Sequence, residues 1–214
     1  MPQIGTNSVN WIKSGEGRKS TAYETASNQR KELIASTLKE LLQTKPLSKI
    51  SVTELVQQCR INRKTFYYHF EDIYALLKWM LEREIIEMLR QYDLLSDYDA
   101  ALGFALDYIG ENYTMLRNIY NSMEVEHLRR FFFSCFREIT RLIIEEPAAK
   151  MGYRVTEEYK AFLIDFYTEG IVGGMIHEIS NPSFYKRETL SAYIYTTFRG
   201  GILQSLKDAQ ENGL

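Results

Sequence analysis

Two short helical segments separated by only two residues constrain this chain more than any other feature. Ser51 and Thr53 stand among the apolar positions Val52, Leu55, Val56 and Cys59, and Glu54 follows Ser51 at the spacing of a capping box. A helix therefore starts there. Asn62 is a second good cap, and it opens the run Arg63-Lys64-Thr65-Phe66-Tyr67-Tyr68-His69-Phe70. Only Arg60-Ile61 lies between the two segments, so the helices must cross steeply, which is the helix-turn-helix arrangement. A longer helix precedes them. From Asn28 onward Leu33, Ile34, Leu38, Leu41 and Leu42 recur at three-to-four spacing, and Pro46 ends the pattern by holding Lys45 extended.

The second short segment carries the chemistry. Phe66 and Phe70 fall on one helix face with Ile61 nearby, which leaves Arg63, Lys64, Tyr67 and Tyr68 on the other. That face suits a DNA major groove: cations serve phosphates and guanine, Asn62 and Thr65 offer short polar contacts, and tyrosine hydroxyls bond phosphate. His69 reads as a boundary aromatic, half-buried against the next helix. Charge agrees with this reading, although a basic block also describes an ordinary solvated helix face. Residues 28–80 carry nine basic and five acidic side chains, a balance of +4, whereas residues 81–214 balance at -7.

The run from Ser51-Val52-Thr53-Glu54-Leu55 to Ile61-Asn62-Arg63-Lys64-Thr65-Phe66-Tyr67-Tyr68-His69-Phe70 resembles the DNA-binding domain of the TetR (tetracycline repressor) family of bacterial regulators, over roughly residues 28–77. The resemblance implies that the first helix braces the domain, that Thr53 touches phosphate and that the third helix enters the groove. It implies a double-stranded DNA-binding set of Ser51, Thr53, Arg60, Asn62, Arg63, Lys64, Thr65, Tyr67, Tyr68 and His69. Two positions depart from the family. Arg60 stands where glycine is usual, which alters the turn or adds a phosphate contact. Ile73 stands where a lysine commonly opens the fourth helix, so one phosphate anchor is missing, and Glu71 and Asp72 before it favour a helix start while repelling DNA backbone.

Past residue 72 the period is helical throughout. Ile73, Leu76, Leu77, Met80, Leu81, Ile85, Met88 and Leu89 form a stripe reaching about Tyr92. Further helices are expected at 96–111, 113–122, 124–146, 156–180 and 187–210, with Pro147 and Asn181-Pro182 as breaks. The expected fold class is all-α: an N-terminal three-helix helix-turn-helix domain and a C-terminal helical bundle. The expected domains are a flexible arm at 1–27, the DNA-binding domain at 28–77 and a regulatory and dimerisation domain at 78–214. The arm is either a leader without a role or a basic extension through Lys13, Arg18 and Lys19 that touches nucleic acid.

Catalysis finds no support. The pairs Glu145-Glu146 and Glu157-Glu158 read as solvated charges at helix ends, and Gly170-Ile171-Val172-Gly173-Gly174 lacks the Lys-Ser/Thr of a phosphate loop. Small residues there, and at Gly200-Gly201, let helices approach closely. Cys59 and Cys135 read as buried thiols, and His127 and His177 as boundary residues or pocket groups. No catalytic residue, metal or cofactor is expected. No apolar run is long enough to span a bilayer and no signal peptide is evident, so a cytoplasmic protein without membrane contact is expected.

In TetR-like proteins the last two helices pack against those of a second copy. This implies a homodimer, here through the stripes Phe162, Phe166, Ile171, Met175 and Tyr193, Ile194, Thr197, Phe198, Ile202, Leu206, reading a palindromic operator. The aromatic-rich middle, including Phe104, Tyr108, Tyr113, Tyr120, Phe131, Phe132, Phe133 and Phe136, lines an effector pocket or packs a core. The run from Phe166 to Gly173 is similar to a subgroup that includes activators of dihydroxyacetone kinase operons, some controlled by a protein partner, so the effector is a small molecule or a protein. The function implied is a transcriptional regulator, most often a repressor in such families. A helical protein–protein adaptor that has lost DNA binding is the alternative, motivated by Ile73 and the Glu71-Asp72 pair.

Overall fold

A computed structural model describes residues 22–89, 91–92, 106–181 and 187–214, and among these the protein is all-α. Helix α1 spans Ala22–Leu42, so it reaches back into the stretch expected as an arm; residues 1–21 lie outside the described residues. Ile34, Leu38, Leu41 and Leu42 of α1 are buried, but Leu33 is 42% exposed. The buried stripe is thus one residue narrower than the pattern implied. After α1, Pro46 (φ -59, ψ 147) opens a short 3-10 turn, Leu47–Lys49.

Helix α2 (Val52–Gln58) begins at Ser51, whose hydroxyl accepts from the Glu54 N–H at 3.2 Å. The expected capping box is half formed, because the Glu54 carboxylate goes instead to Lys45 at 2.5 Å. Helix α3 (Arg63–His69) begins at Asn62, and α4 spans Ile73–Leu89 with Leu76, Leu77, Met80 and Leu81 inward. Asp72 accepts from the Ala75 N–H at 2.7 Å, so of the acidic pair Asp72 caps the start of this helix. Of the expected helix 96–111, residues 106–111 are described and are helical; Phe104 lies outside the described residues.

Helix α5 (Tyr113–Tyr120) turns Met115, Leu116 and Ile119 inward. Helix α6 (Val125–Met151) runs through Pro147, contrary to the break expected there. Proline removes one backbone donor, and Pro147 sits one turn from the end with its ring buried on the core face, so little of the ladder is lost. Gly152 stops the helix at φ 71, with the Tyr153 N–H donating to the Ala148 carbonyl at 2.9 Å. Helix α7 (Glu157–Ser180) packs antiparallel to α6. The expected last helix is three continuous pieces: α8 (Arg187–Ile194), a π-helical stretch Tyr195–Gly200, and α9 (Gly201–Glu211).

One core joins both halves of the chain. Leu38, Leu42, Leu55, Phe66 and Leu76 belong to the same buried cluster as Met115, Ile119, Phe132, Val172 and Ile179. A second cluster, including Ile144, Leu163, Ile164, Ile202 and Leu206, packs α9 against α6 and α7. Among the described residues no helix is long and apolar enough to cross a membrane, and no cluster of His, Cys, Asp and Glu could hold a metal.

Of the glycines expected to permit close approach, Gly201 is the tight one: a Cβ there would lie 2.6 Å from the buried Tyr167 hydroxyl. Gly173, Gly174 and Gly200 face open space within the protomer. Gly201→Ala should therefore lower stability by about 1–3 kcal/mol, while Gly200→Ala should be neutral or slightly stabilising. Thermal denaturation reads both, and Tyr167→Phe should recover part of the Gly201→Ala loss.

Candidate nucleic-acid interface

The turn between α2 and α3 decides where the site residues stand. The Ile61 N–H donates to the Val56 carbonyl at 2.9 Å and the Arg60 N–H to the Gln57 carbonyl at 3.2 Å, the double closure of a Schellman motif. Such a closure needs a left-handed residue, and Arg60 supplies it at φ 52. The turn therefore keeps its shape without glycine, and the Arg60 side chain stands exposed beside the start of α3.

Asn62 starts α3 with its carbonyl oxygen, which accepts from the Thr65 N–H at 2.7 Å and the Thr65 hydroxyl at 3.0 Å. Phe66 is fully buried and Phe70 nearly so, and this pins the helix to α1, α2 and α4. The opposite face is open. Arg63 and Lys64 are exposed, as are Tyr67 (52%) and Tyr68 (66%), and Ser51, Thr53, Arg60 and Asn62 share that exposure around the helix start. Thr65 is half-buried. His69 is half-buried too, its ring 4.9 Å from that of Tyr68 and 6.4 Å from that of Phe70. Burial, with Lys31 and Arg30 adding their charges, holds the imidazole below its ordinary acidity range and so favours its neutral form.

The distribution of ion pairs separates this surface from α6 and α7. On α6 and α7 the cations have carboxylate partners: Arg129 with Glu169 and Arg137 with Asp165, both at 2.6 Å, Arg141 with Glu138 and Glu145, Lys150 with Glu146 at 2.9 Å, and Lys160 with Glu157 at 2.7 Å. The carboxylate pairs at the helix ends are largely taken up in this way. Among the described residues Lys49, Arg60, Arg63 and Lys64 have no carboxylate partner, and neither do Arg30 and Lys31 on α1. Each exposed pair is worth under about 1 kcal/mol to stability, so the consequence is electrostatic: positive potential remains where it is unneutralised. Sequence reading missed Arg30, Lys31 and Lys49, because pairing is set by tertiary neighbours and leaves no local pattern.

Other expected groups fall elsewhere. Phe132 is fully buried in the shared core with Phe131, Phe133 and Phe136 against it, whereas Phe162 and Phe166 point outward. His127 and His177 are exposed, and Cys59 and Cys135 are buried thiols. Burial pushes the Cys135 thiol up to about 12, which keeps it protonated and unreactive.

Residues 97–200 match a protein family described as the TetR-type transcriptional regulator C-terminal region. The chain is 24% identical over 140 residues to the HTH-type dhaKLM operon transcriptional activator DhaS of Lactococcus lactis subsp. lactis (strain IL1403), covering 65% of this chain and 74% of that protein. The solved structure of a dihydroxyacetone kinase operon activator DhaS shares the fold, with a TM-score of 0.58 at 22% identity over 84% of this chain and 97% of that one.

A non-glycine residue in the left-handed region carries roughly 1 kcal/mol of strain. Arg60→Gly should relieve it, and with glycine's greater backbone entropy costing about 0.5–1 kcal/mol the unfolding free energy should rise by no more than about 0.5 kcal/mol. Denaturant unfolding checks this; a loss of stability would show that the Arg60 side chain packs favourably on the turn.

Proposed function

We infer the function of this chain from its membership of the TetR family of transcriptional regulators: it binds duplex DNA in a sequence-dependent way, with α3 in the major groove. The observation that carries the reading is the coincidence of an exposed α3 face, Arg63, Lys64, Tyr67 and Tyr68, with the region whose cations lack carboxylate partners. Arg63 and Lys64 meet base edges or phosphates, the tyrosines reach backbone, and Ser51, Thr53 and Arg60 hold the strand beside the helix start. Asn62 uses its side-chain oxygen to cap the start of α3, whereas the Ser51 hydroxyl accepts in capping α2 and keeps its hydrogen to donate to phosphate. Activation is favoured over the repression common in the family, because the relative it resembles is described as an activator. Control is exerted by a small-molecule or protein effector acting through the C-terminal helices.

A dimer supplies the second half-site. Phe162 and Phe166 are 58% and 60% exposed and stacked with ring centroids 6.0 Å apart, Tyr159 continues the row at 6.1 Å, and Tyr193 is 56% exposed on α8. With Gly173 and Gly174 also facing open space, α7 and α8 present an apolar face suited to a second copy.

Selection from a random duplex library with the purified protein should enrich a palindrome, and Arg63→Ala or Tyr67→Ala should each lose about 1–3 kcal/mol and relax the preference at particular positions. Absence of any binding at low salt would favour the adaptor reading instead. A palindrome upstream of dihydroxyacetone kinase genes would align this chain with its relative. For the dimer, Phe162→Glu together with Phe166→Glu should shift sedimentation from dimer to monomer while the helical content stays unchanged.

A further inference from the structure

The far end of the recognition helix carries a feature that the proposed site does not use. Trp79 of α4 packs edge-on against Phe70, the residue that ends α3, with ring centroids 5.7 Å apart. Over the Trp79 ring lie two cations, Lys31 at 5.8 Å and Arg83 at 5.2 Å. They differ in state. Arg83 is engaged by the carboxylates of Glu32 and Glu87, whereas Lys31 has no carboxylate partner among the described residues. Arg30 is exposed and likewise unpaired there, and both cations act on the neighbouring His69 imidazole. The nearby carboxylates do not neutralise them: Glu32 is held by Arg83, Asp72 caps α4, and Glu71 pairs with neither.

We propose that Arg30 and Lys31, seated at the C-terminal end of α3 by the Lys31–Trp79–Phe70 stack, form a second phosphate clamp on the DNA backbone, on the strand opposite the one met by Lys49, Ser51, Thr53 and Arg60. A seven-residue helix is about 10 Å long and the major groove about 12 Å wide, so cations at the two ends of α3 meet its two walls. The clamp takes the place of the missing lysine. Ile73 is half-buried against the core and cannot reach phosphate. The indole ring holds the Lys31 ammonium over its face at little entropic cost, with no carboxylate taking up the charge among the described residues. The ligand is phosphodiester, so the contribution is independent of base sequence.

This inference rests on the DNA-binding reading above, and the test separates the two. Affinity of the full-length protein is measured against the selected duplex and against a random-sequence duplex, over a series of salt concentrations. The Arg30→Ala, Lys31→Ala double variant should lose roughly tenfold or more on both duplexes alike and flatten the salt slope by up to about 1.8, the value for two phosphate contacts. Arg30→Lys with Lys31→Arg should restore both, and Lys207→Ala, an exposed cation on α9 remote from α3, should change neither. Thermal denaturation checks that each variant is folded. Wild-type affinity and slope in the folded double variant would overturn the clamp and leave the DNA-binding reading intact. A loss confined to the selected duplex would also overturn it, since that is base readout. Failure of the folded wild type to bind either duplex at low salt would overturn the DNA-binding reading itself.

Discussion

The placement of α3 depends on a hydrophobic core that does not stop at the end of the helix-turn-helix. Phe66 anchors α3 into the cluster that contains Leu38 and Leu42 of α1, and the same cluster continues through Met115 and Ile119 of α5 to Phe132 of α6 and Ile179 of α7. Polar ties reinforce it at both ends of α5. Asn118 donates to the Leu42 carbonyl at 2.8 Å and Ser122 accepts from the Ser48 N–H at 3.1 Å, which fixes the segment leading into α2. Arg117 and the Tyr113 hydroxyl donate to the Ile179 carbonyl at 2.7 and 3.2 Å, which fixes the last turn of α7. Close-packed interiors transmit strain rather than absorb it, so movement at the end of α7 and movement at the end of α1 are felt by the same helix. On the other side Lys39, Glu84 and Tyr108 form a hydrogen-bonded set, in which burial and then the Glu84 charge push the Tyr108 phenol upward and keep it a donor.

Against this rigid frame, charge is what distinguishes one surface from another. The ion pairs across and along α6 and α7 contribute little stability at their exposure, but they cancel the positive field of that half of the molecule. Residues 81–214 carry a net acidic excess, which disfavours a polyanion on that part of the molecule. The same logic explains why exposed aromatics fall into two groups: Tyr67 and Tyr68 sit in the positive region, whereas Phe162 and Phe166 sit beside Asp165 and Glu169, where an apolar partner is better suited than a phosphate.

The helix-turn-helix was legible in the sequence because its signals are local. Ser51 and Asn62 cap by reaching three residues ahead, and the Phe66–Phe70 spacing identifies the buried face wherever the helix packs. What could not be read was set by neighbours distant in sequence. Pro147 is a strong breaker alone, yet the core side of α6 accommodates its ring and the real stop is Gly152. Leu33 belongs to an apolar stripe by spacing, but it is left exposed among the described residues. The π-helical stretch Tyr195–Gly200 shifts the register of the last helix, so the stripe from Tyr193 to Leu206 is not one face: Tyr193 is exposed while Ile202 and Leu206 are buried.

Arg60 and Ile73, the two positions that depart from the family pattern, balance each other physically. At Ile73 the chain exchanges a phosphate-directed cation for apolar burial against the core, worth about 1–2 kcal/mol for a side chain only partly covered. At Arg60 it does the reverse, accepting roughly 1 kcal/mol of left-handed strain in order to carry a cation on the turn. Stability gained beside the end of α3 is of the size given up beside its start. Cations therefore stand on the turn at Arg60 and on α1 at Arg30 and Lys31, beside the two ends of α3, while Ile73 of α4 packs against the core.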